Sequence, residues 1–262
     1  VEKKQRRRNP SAPFITSTLQ QEASRKLRFS AQQTMRVAQQ LYEGVDTGQG
    51  TVGLITYMRT DSVNLSQEAI QGLRAIIEKR FGTRKLPDKP NQYRTKAKNA
   101  QEAHEGIRPT DPERVPESLK GYLSDDQYRL YDLIWKRTVA CQMIHATIDT
   151  VSVDLAAGSV ASFRATGSTV RDPGFMAVYQ EGADDRGADA NERILPPLTE
   201  GERIALTTLR PEQHFTEPPP RYSEASLVRA LEEYGIGRPS TYASILATLQ
   251  ARNYVTLENR RF

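Results

Sequence analysis

Apolar positions recur at helical spacing through the first half of the chain, and a hydroxyl residue precedes each of these runs. A side-chain oxygen at such a position accepts hydrogen bonds from the free N–H groups of a helix start. The pattern therefore predicts helices that begin at or just after Ser17, Ser30, Ser66 and Ser124. Gly82 follows the third apolar run, where it is expected to end that helix.

Farther along the chain the apolar spacing changes to two, which is typical of half-buried strands. Residues 151–155 and 161–165 alternate in this way, and Ala157-Gly158 between them predicts an antiparallel hairpin. Residues 204–209 suggest a further strand. The basic, proline-containing residues 1–14 predict an extended arm or an edge strand.

Three prolines at 218–220 mark a boundary, because three prolines cannot lie inside a helix or a central strand. Beyond them, Ser223 is expected to cap a helix that breaks at 235–237, and Pro239 is expected to open a second helix. A strand is predicted at 254–257. Two short helices followed by a strand are typical of a helix-turn-helix with a wing.

These patterns together predict an α+β multidomain chain. We expect a helical domain that carries Tyr57, a small antiparallel β-rich domain and part of a helix-turn-helix or winged-helix-like domain. The changes of pattern place the boundaries near residues 144 and 216.

Composition describes an ordinary globular protein, with 37% hydrophobic and 26% charged residues among 262. No apolar run approaches the roughly 20 residues of a membrane helix, and the charged start does not resemble a secretory signal. The single cysteine, Cys141, excludes an internal disulfide and fits the cytoplasm. Because the first residue is not Met and the chain stops abruptly, we expect it to be part of a longer protein.

The net charge of +5 suits a polyanionic partner, because a Lys or Arg that neutralises a phosphate releases a counterion. This signal is weak by itself, since a mild positive excess is usually a solvated surface.

The first candidate for chemistry is the run Tyr57-Met58-Arg59-Thr60-Asp61-Ser62, which follows a short apolar segment expected to be extended. A free tyrosine hydroxyl has a pKa of about 10 and attacks poorly while protonated. A nearby guanidinium favours the phenolate and stabilises charge on a phosphate under attack. In an extended segment residues two apart share a face, as Tyr57 and Arg59 would. The alternative is a structural aromatic beside a surface charge.

The second candidate is the polar loop 101–110. It contains His104 with a carboxylate on each side, Glu102 and Glu105, and an arginine, Arg108. A histidine there can hydrogen-bond a phosphate or carry a proton. A single histidine without partners at ligand spacing is not a metal site. The alternative is a loop histidine with ordinary partners.

The third candidate is the predicted helix start at 235–241. A helix N-terminus offers free N–H groups to a phosphate, Ser240 and Thr241 add hydroxyls, and Arg238 adds a guanidinium. Arg252, about three turns farther on, extends the basic face. The alternative is a simple helix start with capping hydroxyls.

Several other kinds of site are missing from the sequence. It has no Gly-x-x-x-x-Gly-Lys-Ser/Thr phosphate loop, so nothing indicates ATP. It also has no Asp-x-Asp cluster suited to Mg²⁺ and no zinc-type Cys/His set.

Taken in order, the three segments resemble the signature motifs of the bacterial type IA DNA topoisomerases. The matching stretches are 53–62 (GLITYMRTDS), 101–109 (QEAHEGIRP) and 215–254, which includes SEASL and GRPSTY. Three such motifs in the family's order are highly specific, and the similarity extends along nearly the whole chain.

The resemblance implies that Tyr57 attacks a phosphodiester of single-stranded DNA, leaving a 5′-phosphotyrosine link and a free 3′-hydroxyl. Another strand passes through the gap before the hydroxyl reverses the reaction, and no ATP is required. Arg59 matches the arginine that positions and neutralises the scissile phosphate. The residues that match DNA-contacting positions of the family are Arg59, His104, Arg238, Ser240, Thr241 and Arg252.

On the family's template the helical gate domain is 17–143, the β-rich hinge is 1–16 with 144–215, and 216–262 is part of the DNA-binding helical domain. The family's Toprim domain, which carries the Mg²⁺ ligands, is not in this sequence. The implied partners are single-stranded or negatively supercoiled DNA and the Toprim domain of the same polypeptide, in a cytoplasmic, nucleoid-associated monomer with no membrane contact. We expect this chain alone not to relax supercoils.

Two other classes of protein remain open. A tyrosine recombinase also forms a phosphotyrosine, but its tyrosine is expected near the carboxyl end, whereas Tyr57 lies early. A non-catalytic winged-helix module that binds single-stranded DNA would use Tyr57 only structurally.

Overall fold

The computed structural model describes residues 1–48, 50–94, 104–183 and 194–262. Most of the helices lie in the first half of the described chain, and two more follow residue 223. The α-helices are α1 (Thr16–Glu22), α2 (Ala31–Glu43), α3 (Gln67–Phe81), α4 (Pro116–Leu119), α5 (Asp125–Cys141), α6 (Glu224–Glu233) and α7 (Tyr242–Ala251). A π-helical turn at Ala23–Leu27 continues α1, and 3₁₀ turns occupy Thr83–Lys85 and Gly174–Ala177.

Four helix starts are capped by the serines that the sequence singled out. The hydroxyls of Ser30, Ser66, Ser124 and Ser223 each accept a hydrogen bond from a backbone N–H of the following turn. Gly82 ends α3 with φ +85°, which a glycine adopts without strain. These predictions are confirmed.

The predicted cap at Ser17 is wrong. Helix α1 begins at Thr16 after Ile15, and Ser17 lies inside its first turn with 2% of its surface exposed. The hydroxyl of Thr18 accepts from the Ile15 N–H at 3.0 Å, so a threonine reaching backwards replaces the expected serine.

One hydrophobic core joins the helices of the first half of the chain to the segments that carry two of the three motifs. Phe175 and Tyr179, which follow the sheet in the chain, also pack into this core. Its largest fully buried side chains are Tyr131, Phe14, Leu19, Leu41, Leu54, Ile55, Met58, Leu73, Ile76, Ile77, Ile107 and Leu130.

A three-stranded antiparallel sheet stands beside the helices, in the order β1 (Glu2–Arg8), β4 (Ala146–Ala157) and β5 (Ala161–Asp172). Strands β4 and β5 form the predicted hairpin, whose turn contains Gly158 at φ +62°. Strand β1 pairs with β4 along one edge, which confirms the edge-strand prediction for the basic N-terminal segment.

The expected extended segment before Tyr57 contains only a short strand. β2 (Val45–Asp46) and β3 (Thr51–Val52) form a small hairpin, after which Ile55 makes a single bridge to Pro109.

Three other sequence predictions are wrong. Residues 204–209 form no strand, and Leu206 is 74% exposed, because the described residues offer this segment no partner strand for its backbone groups. Residues 254–257 form no strand either, since left-handed residues at Asn253 and Asn259 turn the chain on both sides. Helix α7 begins at Tyr242 and not at Pro239. Because residues 254–257 form no strand, the predicted wing does not follow the two helices in the described chain.

Helices α6 and α7 pack across α1 and α2 through a second, smaller core of Ala31, Val228, Leu231, Tyr242 and Leu246. A carboxylate oxygen of Glu224 also accepts a 2.7 Å hydrogen bond from the Ala31 N–H at the start of α2. This packing brings the α6–α7 turn opposite the segment that carries Tyr57. The division into three domains is a prediction that the packing does not test.

Within the described residues, none of the helices is both long and apolar enough to cross a membrane.

Candidate active site

The backbone around Tyr57 is fixed by hydrogen bonds to the second motif. The Thr56 N–H donates to the carbonyl oxygen of Arg108 at 2.9 Å, and the Thr56 hydroxyl accepts from the Arg108 N–H at 3.0 Å. The same hydroxyl donates to the carbonyl oxygen of Gly106 at 2.8 Å. On the other side of Tyr57, the side chain of Met58 is fully buried in the core. Both neighbours of the tyrosine are therefore held in place.

A second set of contacts secures the end of the tyrosine motif. The hydroxyl of Thr16, at the start of α1, donates to the carbonyl oxygen of Met58 at 2.7 Å and accepts from the Thr60 N–H at 3.0 Å. The hydroxyl of Thr60 accepts from the Ser62 N–H at 3.0 Å, and both residues are buried. The small hydroxyl residues of this motif thus hold the loop instead of meeting solvent.

Tyr57 itself points outward, with 40% of its surface exposed. Its ring meets the ring of Tyr42 edge to face, with centroids 5.3 Å apart and planes at 65°. The segment bends at residues 58–59 instead of continuing extended. Tyr57 and Arg59 nevertheless line the same cavity, as their predicted common face requires.

The second motif runs against the first and against the N-terminal segment. Gly106 lies where a Cβ atom would come within 3.0 Å of the Pro13 side chain, and its N–H donates to Asn64. Glu105 pairs with Arg108 at 2.6 Å. Burial acts to raise the pKa of Glu105, but hydrogen bonds from Arg108 and Ser66 outweigh it and lower the pKa. His104 is exposed at the near end of this segment, and residues 101–103 of the motif lie outside the described part of the chain.

The third motif forms the turn between α6 and α7. Gly235 and Gly237 have φ of +69° and +81°, which explains the two glycines. The hydroxyl of Thr241 accepts from the Arg238 N–H at 2.8 Å and so closes the turn before α7. The guanidinium of Arg238 remains exposed.

A cavity of about 780 Å³ lies where the three motifs meet. Its walls bring together five of the seven candidate residues, namely Tyr57, Arg59, His104, Arg238 and Ser240. Thr241 stands just behind the wall in the turn, and Arg252 is exposed at the far end of α7. Two guanidiniums and a histidine beside a tyrosine hydroxyl form a site suited to a phosphate group.

The sequence interpretation assigned no role to three carboxylates in the same cavity, those of Asp61, Glu232 and Glu233. Burial, with the charge of Glu233 as a further cause, raises the pKa of Glu232. A signal was present, because carboxylates in the last turn of a helix are unfavourable beside the negative end of its dipole. Across the described residues, no group of three or more His, Cys, Asp or Glu side chains is arranged to hold a metal ion.

Comparison with known proteins identifies the family of the chain. A family model described as DNA topoisomerase matches residues 1–262, and the chain belongs to this family. The family predicted from the three motifs is thereby confirmed as that of the bacterial type I enzymes.

Among its relatives, DNA topoisomerase 1 of Xylella fastidiosa (strain Temecula1) is 60% identical over 265 residues, which cover 100% of this chain and 32% of the relative. DNA topoisomerase 1 of Rickettsia felis is 57% identical over 263 residues, covering 100% of this chain and 34% of the relative. The structure of full-length topoisomerase I from Thermotoga maritima superposes with a TM-score of 0.83 at 37% identity, over 99% of this chain and 41% of that one. The chain thus spans about a third of the length of the relatives it matches.

Proposed function

We propose that this chain is the gate part of a type IA DNA topoisomerase and that Tyr57 is its nucleophile. The hydroxyl oxygen of Tyr57 forms a bond to a backbone phosphorus of single-stranded DNA, and the bond from that phosphorus to the 3′-oxygen breaks. The tyrosine gives up its proton and the leaving 3′-oxygen takes one up, which yields a 5′-phosphotyrosine and a 3′-hydroxyl. The reverse attack by that hydroxyl reseals the strand after another strand has passed.

The observation that carries this proposal is the position of Tyr57 in the cavity. Tyr57 is 40% exposed and lines this cavity, while the fully buried Met58 after it anchors the segment in the core. The same cavity presents Arg59 and Arg238, whose guanidiniums neutralise the charge that builds on the phosphate during attack.

The remaining candidates take supporting roles in DNA binding. His104 and Ser240, which line the cavity, contact the phosphates next to the scissile one. Arg252 extends the contact along α7, and the hydroxyl of Thr241 orients the turn that presents Arg238. The bound DNA is single-stranded, as it occurs in negatively supercoiled molecules.

One phosphoester replaces another in each step, so bond energy is retained and the cycle needs no ATP. Mg²⁺ belongs to the Toprim domain of the same polypeptide, and its ligands lie outside this chain. Residues 17–143 then move as the gate, the sheet with residues 1–16 and 144–215 serves as the hinge, and 216–262 belongs to the DNA-binding domain. Because part of the cleavage centre is elsewhere, the chain alone relaxes no supercoils, and the complete enzyme acts as a monomer.

The test is to mix the chain with the Toprim-containing half in trans and to add single-stranded DNA labelled on either side of the cleavage site. Denaturation should trap an adduct that carries the 5′ end of the broken strand, and Tyr57→Phe should abolish it. An adduct that survives Tyr57→Phe overturns the nucleophile assignment. An adduct linked through the 3′ end indicates recombinase-like chemistry, and DNA binding without any adduct indicates a non-catalytic binding module.

A further inference from the structure

A second tyrosine stands directly beside the proposed nucleophile. Tyr42 lies in the last turn of α2, and its ring packs edge to face on the ring of Tyr57 at 5.3 Å between centroids. Such a contact adds a directional attraction to simple burial, because the positive ring edge meets the negative ring face. Tyr42 is absent from the walls of the cavity that Tyr57 lines. Tyr42 therefore contacts the ring of Tyr57 from a side that does not line this cavity.

The local sequence brings these two rings together. The Leu54 N–H donates to the carbonyl oxygen of Leu41 at 2.7 Å, which ties the tyrosine segment to the end of α2. Gly53 permits this approach, because a Cβ atom there would lie 2.6 Å from the carbonyl oxygen of Tyr42. The backbone contact at 53–54 thus sets the two aromatic side chains at their observed separation.

The contact matters because it is directional and acts on the ring of Tyr57 itself. The backbone on both sides is held, but the ring projects into a wide cavity and no hydrogen bond to its hydroxyl is found among the described residues. A nucleophile must be held close to its line of attack, and a displacement of about 1 Å costs on the order of a hundredfold in rate.

We propose that Tyr42 is a positioning residue for strand cleavage, which holds the Tyr57 ring in its attacking direction by an edge-to-face contact. This inference rests on the proposed role of Tyr57 as the nucleophile. Cleavage and resealing pass through the same arrangement of atoms, so loss of the Tyr42 ring slows both. The affinity for DNA stays unchanged, because Tyr42 lies outside the cavity.

The experiment uses the complete enzyme and a labelled single-stranded oligonucleotide under single-turnover conditions. At saturating DNA, Tyr42→Leu should slow cleavage on the order of tenfold. The dissociation constant, measured with the non-cleaving Tyr57→Phe background, should stay within about twofold. Tyr42→Phe keeps the ring and should cleave within about twofold of the wild-type rate. Tyr122→Leu is the matched control, since Tyr122 is also about half exposed but lies against Gly48.

Wild-type cleavage by Tyr42→Leu overturns the proposal, as does equal slowing by Tyr42→Phe and Tyr42→Leu, which would assign the effect to the hydroxyl. A loss confined to DNA affinity would make Tyr42 a binding residue and would also overturn it. The thermal midpoints of Tyr42→Leu and Tyr122→Leu should be the same. Slower cleavage by Tyr42→Leu alone is then caused by lost positioning of Tyr57 and not by general destabilisation. Failure of the proposed function has a different result, since Tyr57→Phe would then still form an adduct.

Discussion

The hydroxyl of Thr16 accepts a hydrogen bond from the Thr60 N–H at 3.0 Å, and the Thr16 N–H donates to the carbonyl oxygen of Thr60 at 2.9 Å. This reciprocal pair joins the first turn of α1 to the end of the tyrosine motif, across 44 positions of sequence. Both residues are buried, so no solvent competes for these bonds.

Replacing Thr16 by Val should therefore loosen the tyrosine segment. The substitution removes a hydroxyl that bonds both Met58 and Thr60 and leaves their backbone groups unsatisfied in the core. We expect a loss of about 1–3 kcal/mol in the free energy of unfolding, measured by urea denaturation. Strand cleavage by the complete enzyme should slow as well. Thr16→Ser keeps the hydroxyl and is the control, and equal stability of the two variants would contradict the assignment.

Replacing Arg238 by Ala should weaken DNA binding without changing stability. Arg238 is exposed on the α6–α7 turn and lines the cavity, so its loss should remove one of the proposed phosphate contacts. Affinity for single-stranded DNA should fall on the order of five- to tenfold, and the salt dependence of binding should decrease by about one ion. Fluorescence anisotropy over a salt series measures both quantities. Arg84→Ala, on an exposed 3₁₀ turn away from the cavity, should leave both unchanged; a matching decrease there would indicate a nonspecific charge effect.

Glu232 should make the folded chain less stable as the pH rises, whereas a carboxylate in an ion pair usually makes it more stable. The pKa of Glu232 is raised by burial, with Glu233 as a further cause. The contribution of Glu232 to the free energy of unfolding is fully present below the pKa that this carboxyl has in the unfolded chain. It is lost as the pH rises through the higher pKa that the carboxyl has in the folded chain. Glu232→Gln should thus raise the thermal midpoint by a few degrees near neutral pH, and the gain should vanish in acid below the unfolded value of about 4.5.

The exposed residue Glu78 provides the comparison for this effect. Thermal scans of Glu78→Gln from acid to neutral pH should follow the wild type throughout. A gain for Glu232→Gln that is the same at every pH would rule out titration of the carboxyl as its cause.

Replacing Gly53 by Ala should destabilise the chain by overpacking. The added Cβ would stand 2.6 Å from the carbonyl oxygen of Tyr42, so the tyrosine segment must move away from the end of α2. The expected cost is about 1–3 kcal/mol, measured by urea denaturation. Gly121→Ala places its Cβ in open space and should be nearly neutral. If the two alanine variants were equally stable, the close approach at Gly53 would be refuted.

Local chemistry explains which parts of the fold were predictable. Caps at Ser30, Ser66 and Ser124 depend on atoms within one turn, so the sequence alone identifies them. The strand expected at 204–209 depends on a partner elsewhere, and alternation along one segment cannot supply that partner. The start of α7 differs from the prediction for a local reason, since the Thr241 hydroxyl closes a turn over residues 238–241 that the presence of proline alone does not predict.

The candidate site was predictable to the extent that its residues lie within recognisable motifs. Tyr57, Arg59 and Arg238 were singled out by their chemistry and by the family resemblance, and they line one cavity. Glu232 and Tyr42 were not: a carboxylate at the negative end of a helix dipole is a weak signal by itself, and Tyr42 belongs to no chemical pattern within its own segment. Their importance arises only when α6 and α2 are packed beside the tyrosine segment, which is a property of the tertiary structure.

The pairing of β1 with β4 has a mechanical consequence. The chain leaves the sheet at Arg8 and returns to it at Ala146, and these two residues are directly opposite each other in the ladder. Everything between them is tethered to the sheet by two adjacent strands of polypeptide instead of one. The chain also runs from β5 into the helical core, where Phe175 and Tyr179 pack, so a third link joins the sheet to the helices. Strands side by side resist twisting more than a single strand does, and we therefore expect any movement of the helices relative to the sheet to be a bend and not a rotation about one strand.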